Sequence, residues 1–178
     1  MTRCGCALAV ALGVHLVASG WPAIGAQQAP AAAAASTPDI DREVWTVLVE
    51  SVKNDDIAQM ASTYAPDAVL VMPRSTRAMR DALAGWGRDM LTNKTKGTTA
   101  RVEFRFSRRL DGETTAFESG IFNYTTTDSA GVAKPGLYPF EELLVKNGGH
   151  WQILMERQFA AASQADWDKL PKWPERAR

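Results

Sequence analysis

The sequence predicts an α+β fold in which helices come first and pack on one curved antiparallel sheet. Three observations lead there. Ile40, Val44 and Leu48 recur every fourth residue, and Met79, Leu83, Trp86 and Met90 keep the spacing i, i+4, i+7, i+11, the one-sided apolar stripe of a helix. From Thr98 onward the period becomes two, as Ala100, Val102, Phe104 and Phe106 alternate with Arg101, Glu103, Arg105 and Ser107. Asp111-Gly112 and Asn147-Gly148-Gly149 then divide long alternating runs, as hairpin turns do. Helices gathered before a strand meander form a layer over one face of the sheet.

The chain has 178 residues, 46% hydrophobic and 22% charged, the balance of an ordinary globular protein. Its start reads differently. Met1-Thr2-Arg3 is a short basic opening, Ala7 to Val17 is an apolar core, and "ASGWPAIGA" ends in small residues before Gln27. This is the layout of a secretory signal peptide over residues 1–26, cleaved after Ala26, and it predicts an exported protein, periplasmic or secreted. The rival reading is an uncleaved anchor, but the run is short for a span and no basic cluster follows it. Removing 26 of 178 residues leaves 152, enough for one domain with one core.

Both cysteines, Cys4 and Cys6, fall in the predicted signal, so the exported domain is expected to stand on packing without disulfides. Without Arg3, 19 basic residues face 20 acidic ones, which gives no electrostatic case for nucleic acid or an anionic membrane surface. No membrane association is expected after cleavage.

Residues 27–38, Ala/Pro-rich, read as a linker. The domain is expected over residues 39–162. Thr37-Pro38 has the form of an N-cap and first turn, and the stripe from Ile40 to Val52 makes the first helix. Asn54-Asp55-Asp56 ends it and caps a second, with Ile57, Met60, Ala61 and Tyr64 inward. Ala68 to Met72 is a compact strand closed by Pro73. The third helix follows, with Gly85 and Gly87 as candidate points of close approach to the sheet.

Four long strands complete the domain. A two-residue Asp111-Gly112 turn would set Phe106 opposite Phe117 and Arg105 beside Glu118. A three-residue turn at Asn147-Gly148-Gly149 would set Leu143 opposite Ile153 and Glu141 opposite Met155. In that register Glu141 faces inward and Glu142 outward, alongside Phe140, Leu144 and Leu154; a two-residue turn would shift the pairing. Residues 163–178 form a polar tail whose tryptophans, Trp167 and Trp173, either pack back or mark a partner surface.

"DDIAQMASTYAPDAVLVMP" (Asp55 to Pro73), "TTAFESGIFNYTTTD", "GLY" at Gly136 and "GGHWQILMERQFA" follow one another in an order and spacing that resemble the NTF2-like superfamily, in its SnoaL-like branch containing DUF4440. The resemblance spans about Asp39 to Ala162. It implies a cone-shaped barrel with a pocket between helices and sheet, and a tendency to dimerise. Its members include isomerases, cyclases, a dehydratase and non-catalytic association domains, so fold does not decide function.

His150 is the sole histidine after the signal, beside a turn, so a histidine metal cluster or a Cys-His pair has no residues to form it. No phosphate-binding glycine loop is present. No metal or organic cofactor is expected. Aligned on the isomerases of the superfamily, the tyrosine position falls on Leu48 and the base on Met72, neither of which moves a proton. The candidate ligand-binding residues are therefore Tyr64, Met72, Trp86, Glu141, Met155 and Arg157, with Glu141 the sole catalytic candidate and an ion pair with Arg157 the alternative. The function expected is binding of a small, largely apolar molecule by a homodimer. The alternatives are a cofactor-free lyase, isomerase or cyclase, and a self-association domain.

Overall fold

A computed structural model of the chain describes residues 37–173. The expected signal peptide, most of the linker and the last five residues lie outside the described residues. The architecture is α+β, as predicted. Thr37–Ile40 (α1), a π turn over Asp41–Trp45 and Thr46–Lys53 (α2) run together as one helical segment. Ile40, Val44, Trp45, Leu48 and Val52 are all buried, so the apolar stripe does face the core. Asp55 closes α2 at φ 53°, and Asp56 caps Ile57–Ser62 (α3) by accepting a 2.9 Å bond from the Gln59 amide.

Tyr64 is not helical. It opens strand Tyr64–Met72 (β1), which is longer than expected and folds back at Pro73-Arg74 onto Ser75–Ala78 (β2), an element the sequence reading did not anticipate. Met79–Thr95 (α4) follows. A Cβ at Gly87 would lie 3.2 Å from Ile57, so this glycine lets α4 approach α3 and not the sheet.

The remaining strands are Thr99–Asp111 (β3), Thr115–Thr127 (β4), Ala133–Asn147 (β5) and His150–Gln158 (β6). The described residues form one six-stranded sheet, ordered β2-β1-β6-β5-β4-β3, with β1 parallel to β6. Trp45 anchors the helices to it: its ring lies 4.8 Å from Phe104, 4.9 Å from Phe106 and 5.6 Å from Phe140. Glu43 adds a polar tie by accepting the Trp151 amide at 2.8 Å.

Both predicted hairpin registers are corrected. The β3–β4 pair closes at Asp111 and Ala116, a longer loop than expected, which sets Arg109, not Arg105, opposite Glu118; a bulge between Phe106 and Arg108 follows further along. Gly148 and Gly149 both have positive φ, 58° and 91°, and form a two-residue turn that pairs Asn147 with His150. A second bulge, at Leu154, separates Ile153, opposite Leu144, from Met155, opposite Leu143. The result reverses the expected faces. Phe140, Glu142 and Leu144 point into the core, while Glu141 is directly across from Arg157 on the other side.

The tail packs back on the domain. Ser163 caps Gln164–Asp168 (α5), and Arg105 stacks on Trp167 at 4.3 Å while donating to the Trp167 and Leu170 carbonyls at 2.9 and 3.1 Å. Trp173 stands edge-on to Phe104 and Phe106. Since Arg105 alternates with those phenylalanines, the tail touches both faces of edge strand β3 and covers it.

Candidate functional site

A cavity of about 520 Å³ lies between the helices and the inner face of the sheet. Leu48 and Val52 of α2, Met60 of α3 and Met90 of α4 form its helical roof. Val102, Phe104, Phe122 and Tyr124 bring aromatic and aliphatic surface from β3 and β4. Trp86 and Tyr138 close the sides, and Asp89, exposed on α4, stands at the rim. The floor is polar. There Tyr64, Glu142, Glu156 and Gln158 meet.

The floor exists because of the register. Glu118 is paired with Glu142, and Glu142 with Glu156, so three carboxyl side chains stand in one row across β4, β5 and β6. Each is 5% exposed or less. Like charges directly opposite one another on a sheet are destabilising, so the row holds only if partners or protons neutralise it.

Each acid is neutralised differently. Glu118 lies behind the cavity and accepts from Trp45 Nε1 at 2.7 Å and from Arg109 at 3.0 and 2.8 Å. Arg109 also reaches Asp41 at 2.6 Å, tying β3 to the π turn. Burial pushes the Glu118 carboxyl up to about 8, against the downward pull of Arg109. Glu156 accepts from the Tyr64 hydroxyl at 2.7 Å and from the Gln158 amide. Burial raises its pKa, and these two donors oppose the rise.

Glu142 differs from both. Its Oε2 is buried and has no hydrogen-bond partner. Burial raises its pKa well above the ordinary carboxylate range, and the charges of Glu156 and Glu118 add to that. Where two facing acids share one negative charge, the charge belongs on the one with donors. Of the two, Glu156 with its two donors is the one whose ionised form is favoured, and Glu142 the one whose protonated form is favoured. Tyr64, raised by burial and then by the charges of both acids, stays a neutral phenol.

Tyr64 and Trp86, expected as ligand-binding residues, do line the cavity. Met72 does not; it packs against the core from β1. The structure places Glu141, Met155 and Arg157 on the opposite face of the sheet. Glu141 and Arg157 form a half-exposed ion pair at 3.3 Å, worth about 0–1 kcal/mol. The two-residue turn put Glu141 outward, and the Leu154 bulge did the same to Met155. Leu48 lines the roof with a hydrocarbon side chain.

Glu142, Glu156 and Glu118 were missed as site residues. The paired positive-φ glycines were a readable signal for Glu142, since Gly-Gly favours the two-residue turn. Glu156 also needed the bulge, which nothing in the sequence marks. Among the described residues no cluster of His, Cys, Asp and Glu is arranged to hold a metal ion, and no helix is long and apolar enough to cross a membrane.

No family model and no curated protein sequence matches the chain. Solved structures do. A ketosteroid isomerase-like protein from Erwinia carotovora atroseptica SCRI1043 aligns at 22% identity and a TM-score of 0.54, over 72% of this chain and 97% of that one. An NTF-2 like protein of unknown function from Shewanella oneidensis MR-1 aligns at 16% identity and 0.55, over 69% and 98%. Aln2 from a Streptomyces species aligns at 14% identity and 0.58, over 68% and 88%. With helices layered on one curved sheet around an internal cavity, this chain has the NTF2-like cone fold.

Proposed function

We propose that the chain binds one small, largely apolar molecule in the cavity between helices and sheet, and that Glu142 orients it. The observation that carries this reading is an unpartnered buried carboxyl facing a cavity of about 520 Å³. Small-molecule sites span roughly 300–1,000 Å³ and combine an apolar lining with few polar groups. A buried acid left without a partner is costly to keep, and a ligand group that meets it relieves that cost. The SnoaL-like motifs from Asp55 onward support the same reading.

The test is titration with the neutral fluorophore N-phenyl-1-naphthylamine. One-to-one binding by the wild type, and its loss in Val102→Trp, which fills the cavity, is the expected result. A folded Val102→Trp variant that binds as well as the wild type would overturn the reading.

A second reading, cofactor-free proton transfer, is supported by the pairing of Glu142 with Glu156 and Tyr64, since facing acids driven to different protonation states supply an acid and a base. Glu142 takes the role the sequence assigned to Glu141. Screening for deuterium exchange into small ketones tests it; exchange that survives Glu142→Gln unchanged would sink it.

A further inference from the structure

The charge on the cavity lining is one-sided. Asp89, Glu142 and Glu156 contribute acids, while no Lys, Arg or His lines the cavity among the described residues. The rest of the surface is rich in rings, with Trp86, Phe104, Phe122, Tyr124 and Tyr138 placed around one space. Acids on the floor and at the rim of a ring-lined pocket are what an organic cation needs. The ring faces attract its charge, and a carboxylate accepts its N–H.

We propose that the molecule held here is an organic amine, an aromatic or alicyclic body with one protonated nitrogen directed at Glu142. The inference rests on the binding function proposed above and names its ligand class. Glu142 is 3% exposed, and its Oε2 is the buried side-chain oxygen of the lining with no hydrogen-bond partner. The groups facing it leave a cation as the best complement. Glu118 from β4 and Glu156 from β6 flank it in register, and Tyr64 from β1 donates to Glu156 and not to Glu142. Arg109 neutralises Glu118 on the far side of the row, so no cation reaches Glu142. A neutral carbonyl would satisfy one protonated acid and bring no charge to offset the neighbouring carboxyls. An ammonium lets both Glu142 and Glu156 ionise. Entry is biased the same way: Tyr124 is shifted up first by burial and then by the charges of Asp55 and Asp89 near the rim.

The pH dependence distinguishes the two ligand classes. An amine that needs ionised Glu142 binds more tightly as pH rises from neutral into the alkaline range, while an alkyl ammonium, with a pKa near 10, stays charged. A ketone that needs protonated Glu142 binds more weakly over the same range.

The experiment is calorimetric titration of the full chain with a matched series: 2-(2-naphthyl)ethylamine, 2-(2-naphthyl)ethanol, 2-acetonaphthone and 2-naphthylacetic acid. The amine is expected to bind about tenfold or more tightly than the alcohol, with affinity rising with pH, and the acid not at all. In Glu142→Gln the amine and alcohol should become equal, while Glu141→Gln, on the opposite face of the sheet, keeps the preference. If the ketone or alcohol binds as tightly as the amine, the amine inference fails and the pocket function stands. If no member binds while N-phenyl-1-naphthylamine does, the inference also fails. If neither binds, both readings fail.

Discussion

Replacing Glu142 with glutamine should stabilise the protein at alkaline pH and do almost nothing at acidic pH. Gln keeps the size of the side chain and removes the charge. The sign follows from the direction of the shift. An acid whose folded pKa lies above its unfolded value contributes fully below the unfolded value, about 4.5, and that contribution is lost as pH rises toward the folded value. Glu142 is raised by burial and by its two carboxyl neighbours, so near pH 8 the wild type either ionises it at a cost or takes up a proton that the unfolded chain has released. Each unit of displacement is about 1.4 kcal/mol. Glutamine carries no such titration, and its amide lacks partners much as the protonated acid does, so those two costs nearly cancel at every pH and the pH-dependent loss of the wild type is what the variant avoids. The gain near pH 8 is expected on the order of 1 kcal/mol or more, which is at least roughly 2–4 °C in Tm for a domain of this size. Near pH 5 the difference should fall within about 0.5 kcal/mol.

The comparison variant is Glu141→Gln, which breaks the half-exposed pair with Arg157 and should cost no more than about 1 kcal/mol at either pH. Thermal unfolding followed by circular dichroism, at both pH values and matched ionic strength, reads all of this. If Glu142→Gln is strongly destabilising at both, the carboxyl has a partner and the argument from an unsatisfied buried acid is wrong. A wild type whose stability rises between pH 5 and 8 would refute the sign, because Glu118, pushed up to about 8, contributes in the same direction.

Arg109→Met should cost about 3–5 kcal/mol by leaving Glu118 buried and unpaired, and Arg109→Met with Glu118→Gln should recover a large part of it; urea unfolding showing additive losses would sever that pairing. Self-association is proposed through the outer face, where Leu110, Phe117, Leu143, Met155 and Val69 fall in register across five strands. Sedimentation should show a dimer that Leu143→Lys converts to monomer, and a wild-type monomer at all concentrations would refute it. Export is proposed from residues 1–26: intact mass of the secreted or periplasmic protein should correspond to a chain starting at Gln27, and a mass that retains Met1 would refute it.

What could be read in the sequence divides along a physical line. Helix faces were legible because burial of a periodic stripe is robust: an error of a residue at an end leaves Ile40, Val44 and Leu48 on the same side. The order of the long strands was legible for a similar reason, since turn glycines separate them. Register was not, because its period is two and one inserted residue exchanges the faces. The bulge at Leu154 put Glu156 inward although the alternation from Trp151 and Ile153 pointed to Met155, and the longer loop after Asp111 gave Glu118 its arginine from Arg109. Strand β2 and the parallel contact of β1 with β6 were missed because a short exposed strand carries no apolar pattern of its own.

The bulge at Leu154 shows why the site and the misreading coincide. With the same two-residue turn and no bulge, Met155 would face inward opposite Glu142, and Glu156 would lie outward opposite Glu141. Breaking the alternation costs ladder hydrogen bonds and gathers three acids into one row, against the preference of a sheet for unlike neighbours. The outer face gains from it: five apolar side chains fall in register, and Glu141 finds Arg157. The inner face gains nothing by packing, because Glu142 remains without a partner. A local rule broken without compensation inside the fold points to compensation from outside it. Glu142 is where that compensation is to be sought, and the pH dependence of Glu142→Gln stability, measured with and without amine, separates a strained core from a binding site. A strained core keeps the same alkaline gain in both conditions. A binding site loses it, because the amine stabilises the wild type near pH 8 and leaves the variant where it was.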